Sequence, residues 1–300
     1  MNEIRLIVSA CLLGEAVRYD GKAKADSYVR NMLGGAFHLI PVCPETEAGL
    51  AVPREAMALA GDPAAPRALG VVSSRDFTGR LRAWLARRLP ELAEMEPDGF
   101  VLKSNSPSCG LAPVKVAGSA VPGAGILAGC VAAGFPELAV AGETMLETRC
   151  GRQRFLDKLL VMHDWRGLLK AGAKPEELMA FHRNLRLLVM SHAPGRAGEL
   201  DKYARRGDWG IYERKLAVVL DAPPDPSKHD NVWRHLQSAL AKYLSEPECA
   251  VLARTLEQCA GGELSTGAVI MHFKLLSEQY PAVDYRTQFY WRLLHPLYAL

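Results

Sequence analysis

The sequence predicts an α/β chain with a Rossmann-like parallel sheet at its N-terminal end, followed by an all-α domain. Three observations carry this expectation. Short, wholly apolar, β-branched runs alternate with helix-like segments through the first half. Such runs suit strands buried on both faces of a parallel sheet. In the second half apolar residues recur at spacings of three and four, the signature of helices. A length of 300 residues also suits two domains better than one.

Taken in order, the first strand is "IRLIVSA" (4–10), the second "AFHLIPVC" (36–43) and the third "GFVLK" (99–103). Between the last two, "DFTGRLRAWLARRLPELAEM" (76–95) places Leu81, Trp84, Leu85, Leu89 and Leu92 at helical spacing. The stretch "VPGAGILAGCVAAGFPELAV" (121–140) reads as a helix opened by glycine and then another short strand. From about residue 151 only helices are expected. "RQRFLDKLLVMHDWRGLLKAG" and "PEELMAFHRNLRLLVMSHAPG" come first. In the second of these, Pro175 suits a first helical turn, and Glu176 and Glu177 complement its dipole. Further helices are expected at 209–221, 229–244, 247–260, 265–279 and 284–293, with "DAPPDPSKHD" (221–230) a loop. The "KAGAKP" stretch sets the expected boundary, giving domains 1–172 and 173–300.

Composition narrows the function classes. Hydrophobic residues make up 49% of the chain and charged residues 23%, ordinary for a globular protein. No apolar run reaches the length of about 18 residues that a membrane helix needs. The N-terminus reads as a strand rather than a signal peptide, so the expected compartment is the cytoplasm. Seven cysteines there are not expected to form a disulfide framework. The net charge of +3 is too small to mark a nucleic-acid binder. Its distribution is more informative: residues 1–150 hold 15 basic and 16 acidic side chains, and residues 151–300 hold 21 and 17. That tilts the second half towards polyanions.

Cys11, Cys43 and Cys109 share one context: each follows an apolar strand. In a parallel sheet all carboxyl ends lie on one rim, where ligands bind. If the three strands are neighbours, the three thiols meet. Three thiolates can serve an iron–sulfur cluster that keeps one iron open. They can also serve a zinc ion with an open position. The plainer reading is three unrelated small core residues. Cys130 sits in an Ala/Gly-rich helical segment and reads as packing, as do Cys249 and Cys259. Cys150, in "TRCGRQ", is a stray fourth candidate.

The segments "VSACLLGEAVRYDG", "PVCPETEAGLAVPR" and "LKSNSPSCG", in this order, resemble the bacterial thiouracil and thiouridine desulfidase family. "GAGILAGCVAAGFPEL" and "RQRFLDKL" resemble the later part of the same domain, so the likeness covers roughly residues 4–165. "FHRNLRLLVMSH" and "HFKLLSEQYPAVDYRTQFYWRLLHP" resemble the YbgA-like helical domain often fused behind it. The resemblance implies a [4Fe–4S] cluster held by Cys11, Cys43 and Cys109, with the open iron taking the thiocarbonyl sulfur. It implies an essential glutamate at Glu45 and an essential serine, best matched by Ser106, with Ser104 and Ser108 close by. It further implies sulfur removal from 4-thiouridine in tRNA, with the helical domain helping to hold the RNA. One departure stands out: the family's acidic "EEGRL"-like stretch reads "AGETMLETRCG" here, leaving Glu143 and Glu147 as its acids.

The residues themselves fit such chemistry. A carboxylate one proline away from a ligand cysteine suits general acid–base work, and a turn serine can relay a proton. Arg18 and Arg54 are candidates for binding a phosphate or the base edge. Ser104 and Lys103 are candidates for contacting substrate. Each also has a plainer role, as a surface ion pair or a strand end. In the helical domain His182, Arg183, Arg186 and His192 mark one helix. Lys202, Arg205 and Arg206 lie near Trp209 and Tyr212. Basic groups beside aromatics suit phosphate contacts and base stacking. Free thiouracil or a thio-nucleotide is the alternative substrate. A non-catalytic, cluster-bearing RNA-binding protein is the contrasting class.

Overall fold

In a computed structural model that describes residues 3–224 and 226–298, the chain forms two compact units, Met1–Thr148 and Arg149–Leu300. The first unit is built on four parallel strands in the order β2-β1-β5-β7. They are β1 (Arg5–Ser9), β2 (His38–Val42), β5 (Gly99–Leu102) and β7 (Ala139–Gly142). Every pairing in this sheet is parallel, and Val8 is in register with both Pro41 and Val101. Leu6, Ile7 and Val8 are wholly buried, which is why the sequence of β1 does not alternate: as a central strand it is covered on both faces.

Chain order and sheet order disagree at one place. From β1 the chain moves outward to β2, then returns to place β5 on the opposite side of β1. That reversal opens a crevice at the carboxyl ends of β1 and β5, the usual ligand position in open parallel sheets. One face of the sheet is covered by α3 (Thr78–Glu94) and α4 (Ile126–Gly134). Trp84, Leu85 and Leu92 pack there with Ile7, Phe100, Leu127 and Val131. Cys130 lies against this cluster, as the sequence predicts.

A second, three-stranded sheet, in the order β4-β3-β6, comprises β3 (Met57–Ala60), β4 (Arg67–Gly70) and β6 (Val116–Ala117). The sequence did not announce it. "MALA" and "RALG" carry no β-branched residue, and β6 is two residues long.

The second unit is helical: α5 (Arg149–Lys170), α6 (Pro175–His192), α7 (Ala197–Arg206), α8 (Trp209–Asp221), α9 (Pro226–Leu240), α10 (Glu246–Ala260) and α11 (Thr266–Gln279). No strand occurs among its described residues. Three expectations change. Helix α9 begins at Pro226, inside the segment 221–230 expected to be a loop. The boundary falls before α5 rather than at 172, because α5 packs on α8 and on the C-terminal turn Pro296–Tyr298. The helix expected at 284–293 is instead a 3-10 segment, Phe289–Leu294. No described helix is long and apolar enough to cross a membrane.

Candidate desulfidase site

The carboxyl ends of β1, β2 and β5 open onto a cavity of about 370 Å³. Cys11, Cys43, Cys109, Glu45, Ser106 and Ser108 all line it, as do Arg18, Arg54, Lys103 and Ser104. The residues named there for the cluster, for acid–base chemistry and for substrate contact thus share one space. The three thiols are free. Among the described residues no trio of His, Cys, Asp or Glu closes on a single ion-sized point.

Each cysteine loop is shaped by its own local chemistry. After β1 the chain makes a 3-10 turn, Ala10–Leu13, which ends at Gly14 with φ 104°. That left-handed backbone suits glycine. Cys43 immediately precedes the short α2 (Pro44–Glu47), whose first position is proline. The Cys43 N–H donates to Glu47 Oε1 at 2.9 Å, and Trp84 Nε1 donates to Glu47 Oε2 at 3.1 Å. Glu47 therefore fastens the second cysteine loop to α3. The third loop is a turn closed by Gly110 N–H donating to Ser106 O at 2.8 Å. A Cβ on Gly110 would lie 2.7 Å from that same oxygen, so only glycine fits. Ser106 Oγ accepts the Cys109 N–H at 3.1 Å and faces Ser108 Oγ at 3.0 Å.

Glu45 is the hub. Its Oε2 accepts from Arg54 Nε at 2.8 Å and Arg54 Nη2 at 2.5 Å. Its Oε1 accepts from Ser108 Oγ at 2.7 Å. Arg54 Nη2 also donates to Val17 O at 2.9 Å, and Arg54 Nη1 donates to Ala51 O at 3.0 Å. The guanidinium is thus locked in place and holds the carboxylate by two nitrogens, an arrangement that lysine does not reproduce. Of the three serines, Ser108 touches the glutamate directly and is buried. Ser106 is half-buried and reaches Glu45 through Ser108. Ser104 Oγ pairs instead with Thr144 Oγ1 at 2.9 Å.

The remaining candidates have defined partners. Arg18 pairs with Asp20 at 3.4 Å at the cavity wall. Lys103 Nζ is bonded to Glu143, which also accepts the Ser104 N–H at 2.6 Å. Burial pushes the Glu143 carboxyl up, but the hydrogen bonds from Lys103 and Ser104 outweigh it and hold the group below its ordinary value. Burial, with the neighbouring Cys43, pushes the Cys11 thiol up to about 11. Burial likewise pushes the Cys109 thiol up to about 12, against hydrogen bonds from Ser9 and Ser108. Metal ligation at such thiols displaces their protons.

The 2-thiouracil desulfurase family model matches residues 6–143. The uncharacterized protein YbbK of Bacillus subtilis (strain 168) is 30% identical over 110 residues, which is 35% of this chain and 72% of YbbK. The chain belongs to the 2-thiouracil desulfurase family. Its desulfurase domain thus coincides with the first compact unit. Residues 186–296 match a second model, a protein of unknown function named DUF1722. A solved structure, the [4Fe-4S]-dependent thiouracil desulfidase TudS, is 27% identical, covering 48% of this chain and 94% of that one with a TM-score of 0.40. Among the site residues, Glu47 and Ser9 escaped the sequence reading. Glu47 lies four residues after Cys43, but nothing local in the sequence reveals its bond to Trp84.

In the helical unit, Arg183, Arg186, Arg205 and His182 line one groove with Tyr285. Tyr212, expected near a stacking surface, is wholly buried and packs against Trp165, Trp209 and His182. Arg205 is engaged with Asp201 at 2.6 Å. Cys249, expected to be a packing residue, is exposed, and the Cys150 thiol donates to Pro224 O at 2.8 Å within the helical unit.

Proposed function

We propose that the protein is a [4Fe–4S]-dependent, non-redox desulfidase that removes sulfur from 4-thiouridine in tRNA. Cys11, Cys43 and Cys109 would hold the cluster. The observation that carries this reading is that the three free cysteines, from three adjacent strand ends, line one cavity with Glu45. When bound, such a cluster would supply a Lewis-acidic iron matched to soft sulfur.

The chain's own residues would handle the protons. Glu45, held by Arg54 and Ser108, takes a proton from the water that attacks the thiocarbonyl carbon. The Ser108–Ser106 pair carries a proton between Glu45 and the open part of the cavity. Water supplies the new carbonyl oxygen and sulfur leaves as sulfide, so no electron is gained or lost. Seven free cysteines suit the reducing cytoplasm.

Two features support an RNA substrate: the basic excess of residues 151–300, and the groove of about 660 Å³ lined by Arg183 and Arg186. These two arginines lie one helical turn apart on α6, on the same face. Neither has an ion-pair partner among the described residues. Free thiouracil is the alternative substrate, favoured by the description of the family.

Anaerobic incubation of iron-loaded protein with thiolated tRNA, followed by nucleoside analysis and sulfide assay, tests the proposal. Loss of 4-thiouridine with sulfide release is expected. Arg183→Glu with Arg186→Glu should slow tRNA turnover and leave 2-thiouracil turnover unchanged. Equal turnover of tRNA by the double variant removes this groove from RNA binding, turnover of 2-thiouracil without turnover of tRNA by the parent favours the free base, and tRNA retention without sulfide refutes the enzymatic reading.

A further inference from the structure

The helical unit holds a second cavity, of about 180 Å³, unrelated to the desulfidase site. Its walls are mostly apolar, with Pro224, Ile270, Leu293 and Tyr298 among them. Two groups on α5 break this pattern. Gln153 lines the cavity and is 6% exposed, and its Nε2 has no hydrogen-bond partner. A buried amide donor left unpaired is costly, so it calls for an acceptor from a ligand. Arg149, one turn earlier on the same helix face, sits at the exposed side. No carboxylate among the described residues forms an ion pair with it.

Arg149 is also placed against its own charge. A Cβ on Gly267 would lie 3.8 Å from Arg149 Nη2, so the guanidinium rests beside the first turn of α11. That turn contains no acidic residue, and neither does the first turn of α5. A cation next to the positive end of a helix dipole is unfavourable unless an anion lies between them.

We propose that this cavity binds a short carboxylic acid with an apolar tail and a second acceptor oxygen, of the 2-oxo acid type. The carboxylate faces Arg149 and the N-terminus of α11. The second oxygen accepts from Gln153 Nε2, and the tail packs on Ile270 and Leu293. The size fits: a cavity of ~150 Å³ lined by apolar groups holds a benzene-sized molecule.

Isothermal titration of the full-length protein with three probes tests each element. Ketoisocaproate carries all three features, isocaproate lacks the keto oxygen, and methyl isobutyl ketone lacks the charge. Ketoisocaproate should bind at least about tenfold more tightly than methyl isobutyl ketone, on the scale of one charged hydrogen bond, and at least about fivefold more tightly than isocaproate, on the scale of one buried donor left unpaired. Arg149→Ala, at an exposed position, should weaken both acids at least about tenfold and leave the ketone unchanged. Gln153→Leu should reduce ketoisocaproate to the affinity of isocaproate. The proposal is overturned if ketoisocaproate does not bind, if the ketone binds equally well, or if Arg149→Ala, shown folded by circular dichroism, binds ketoisocaproate as the parent does.

Discussion

Replacing Ser108 by alanine separates it from Ser106, the serine that the family resemblance favours. Ser108 Oγ donates to Glu45 Oε1 at 2.7 Å from a position only 1% exposed. A hydrogen bond to a charged group contributes roughly 1.5–3 kcal/mol. If that bond is needed as Glu45 takes its proton, its loss converts to about a 10- to 150-fold drop in kcat. Ser106 differs on each count. It is half-buried and bonds Ser108 Oγ and the Cys109 N–H rather than the carboxylate. A neutral hydrogen bond contributes about 0.5–1.5 kcal/mol, so Ser106→Ala should cost about tenfold at most. The assay is anaerobic sulfide release from 2-thiouracil at equal iron content, with kcat and KM read separately. A Ser106→Ala defect larger than that of Ser108→Ala would refute the reasoning, since the hydroxyl that matters most would then not be the one bonded to Glu45.

Further tests follow from the same geometry. Arg54→Gln removes the two-nitrogen hold on Glu45 and should lower kcat at least tenfold on the scale of about 1.4 kcal/mol, with the far-ultraviolet spectrum unchanged. Cys43→Ser should lower iron and acid-labile sulfide per chain after anaerobic reconstitution; full retention would remove Cys43 from the ligand set. Glu143→Gln tests a stability linkage. The folded Glu143 carboxyl lies below its ordinary value of 4.5, so its contribution is present above that value and is lost as pH falls through the folded one. The variant should be roughly 1.5–3 kcal/mol less stable near neutral pH and approach the parent in acid, by urea unfolding. In the helical unit, Asp157 accepts from His192 Nε2 at 2.9 Å and from Tyr298 OH at 2.8 Å while wholly enclosed. Asp157→Asn should destabilise by about 3–5 kcal/mol, as breaking a buried pair does, read as a lower midpoint of the helical unfolding transition.

How much was legible in the sequence depends on whether the signal was local. β1, β2 and β5 were readable because strands buried on both faces are uninterrupted apolar runs. α3, α6 and α11 were readable from their helical spacing. The β3–β4–β6 sheet was not, because its strands are short and Ala-rich, and their pairing is set by partners distant in sequence. The cysteines could be placed on one rim because parallel topology fixes where strands end. The resemblance favours Ser106, whereas Ser108 is the hydroxyl that meets Glu45, a contact across 63 residues that no local signal reveals. Tyr212 misled for a related reason: an aromatic beside basic residues looks the same in sequence whether it stacks on a base or fills a core. The helix boundary at 148 was hidden because α5 is continuous in periodicity, and only its packing on α8 assigns it to the second unit.

The site's organisation follows from how the three loops are held. Each cysteine leaves its strand into a turn secured by a different device: the left-handed Gly14, the Glu47 carboxylate on the Cys43 N–H, and the Ser106 hydroxyl on the Cys109 N–H. None of these contacts uses a thiol, so the loops keep their shape while the sulfurs stay available. Two of the devices also reach beyond their loops. Glu47 joins the Cys43 turn to Trp84 in the core, and Ser106 joins the Cys109 turn to Ser108 and hence to Glu45. Glu45 in turn sits on α2, one residue past the proline that follows Cys43. Cys43, Cys109 and the proposed base are therefore parts of one hydrogen-bonded frame. A displacement of the Cys109 turn is transmitted to Glu45 through the Ser108 hydroxyl, an arrangement that would keep thiol ligation and proton transfer in register during the displacement of sulfur by oxygen.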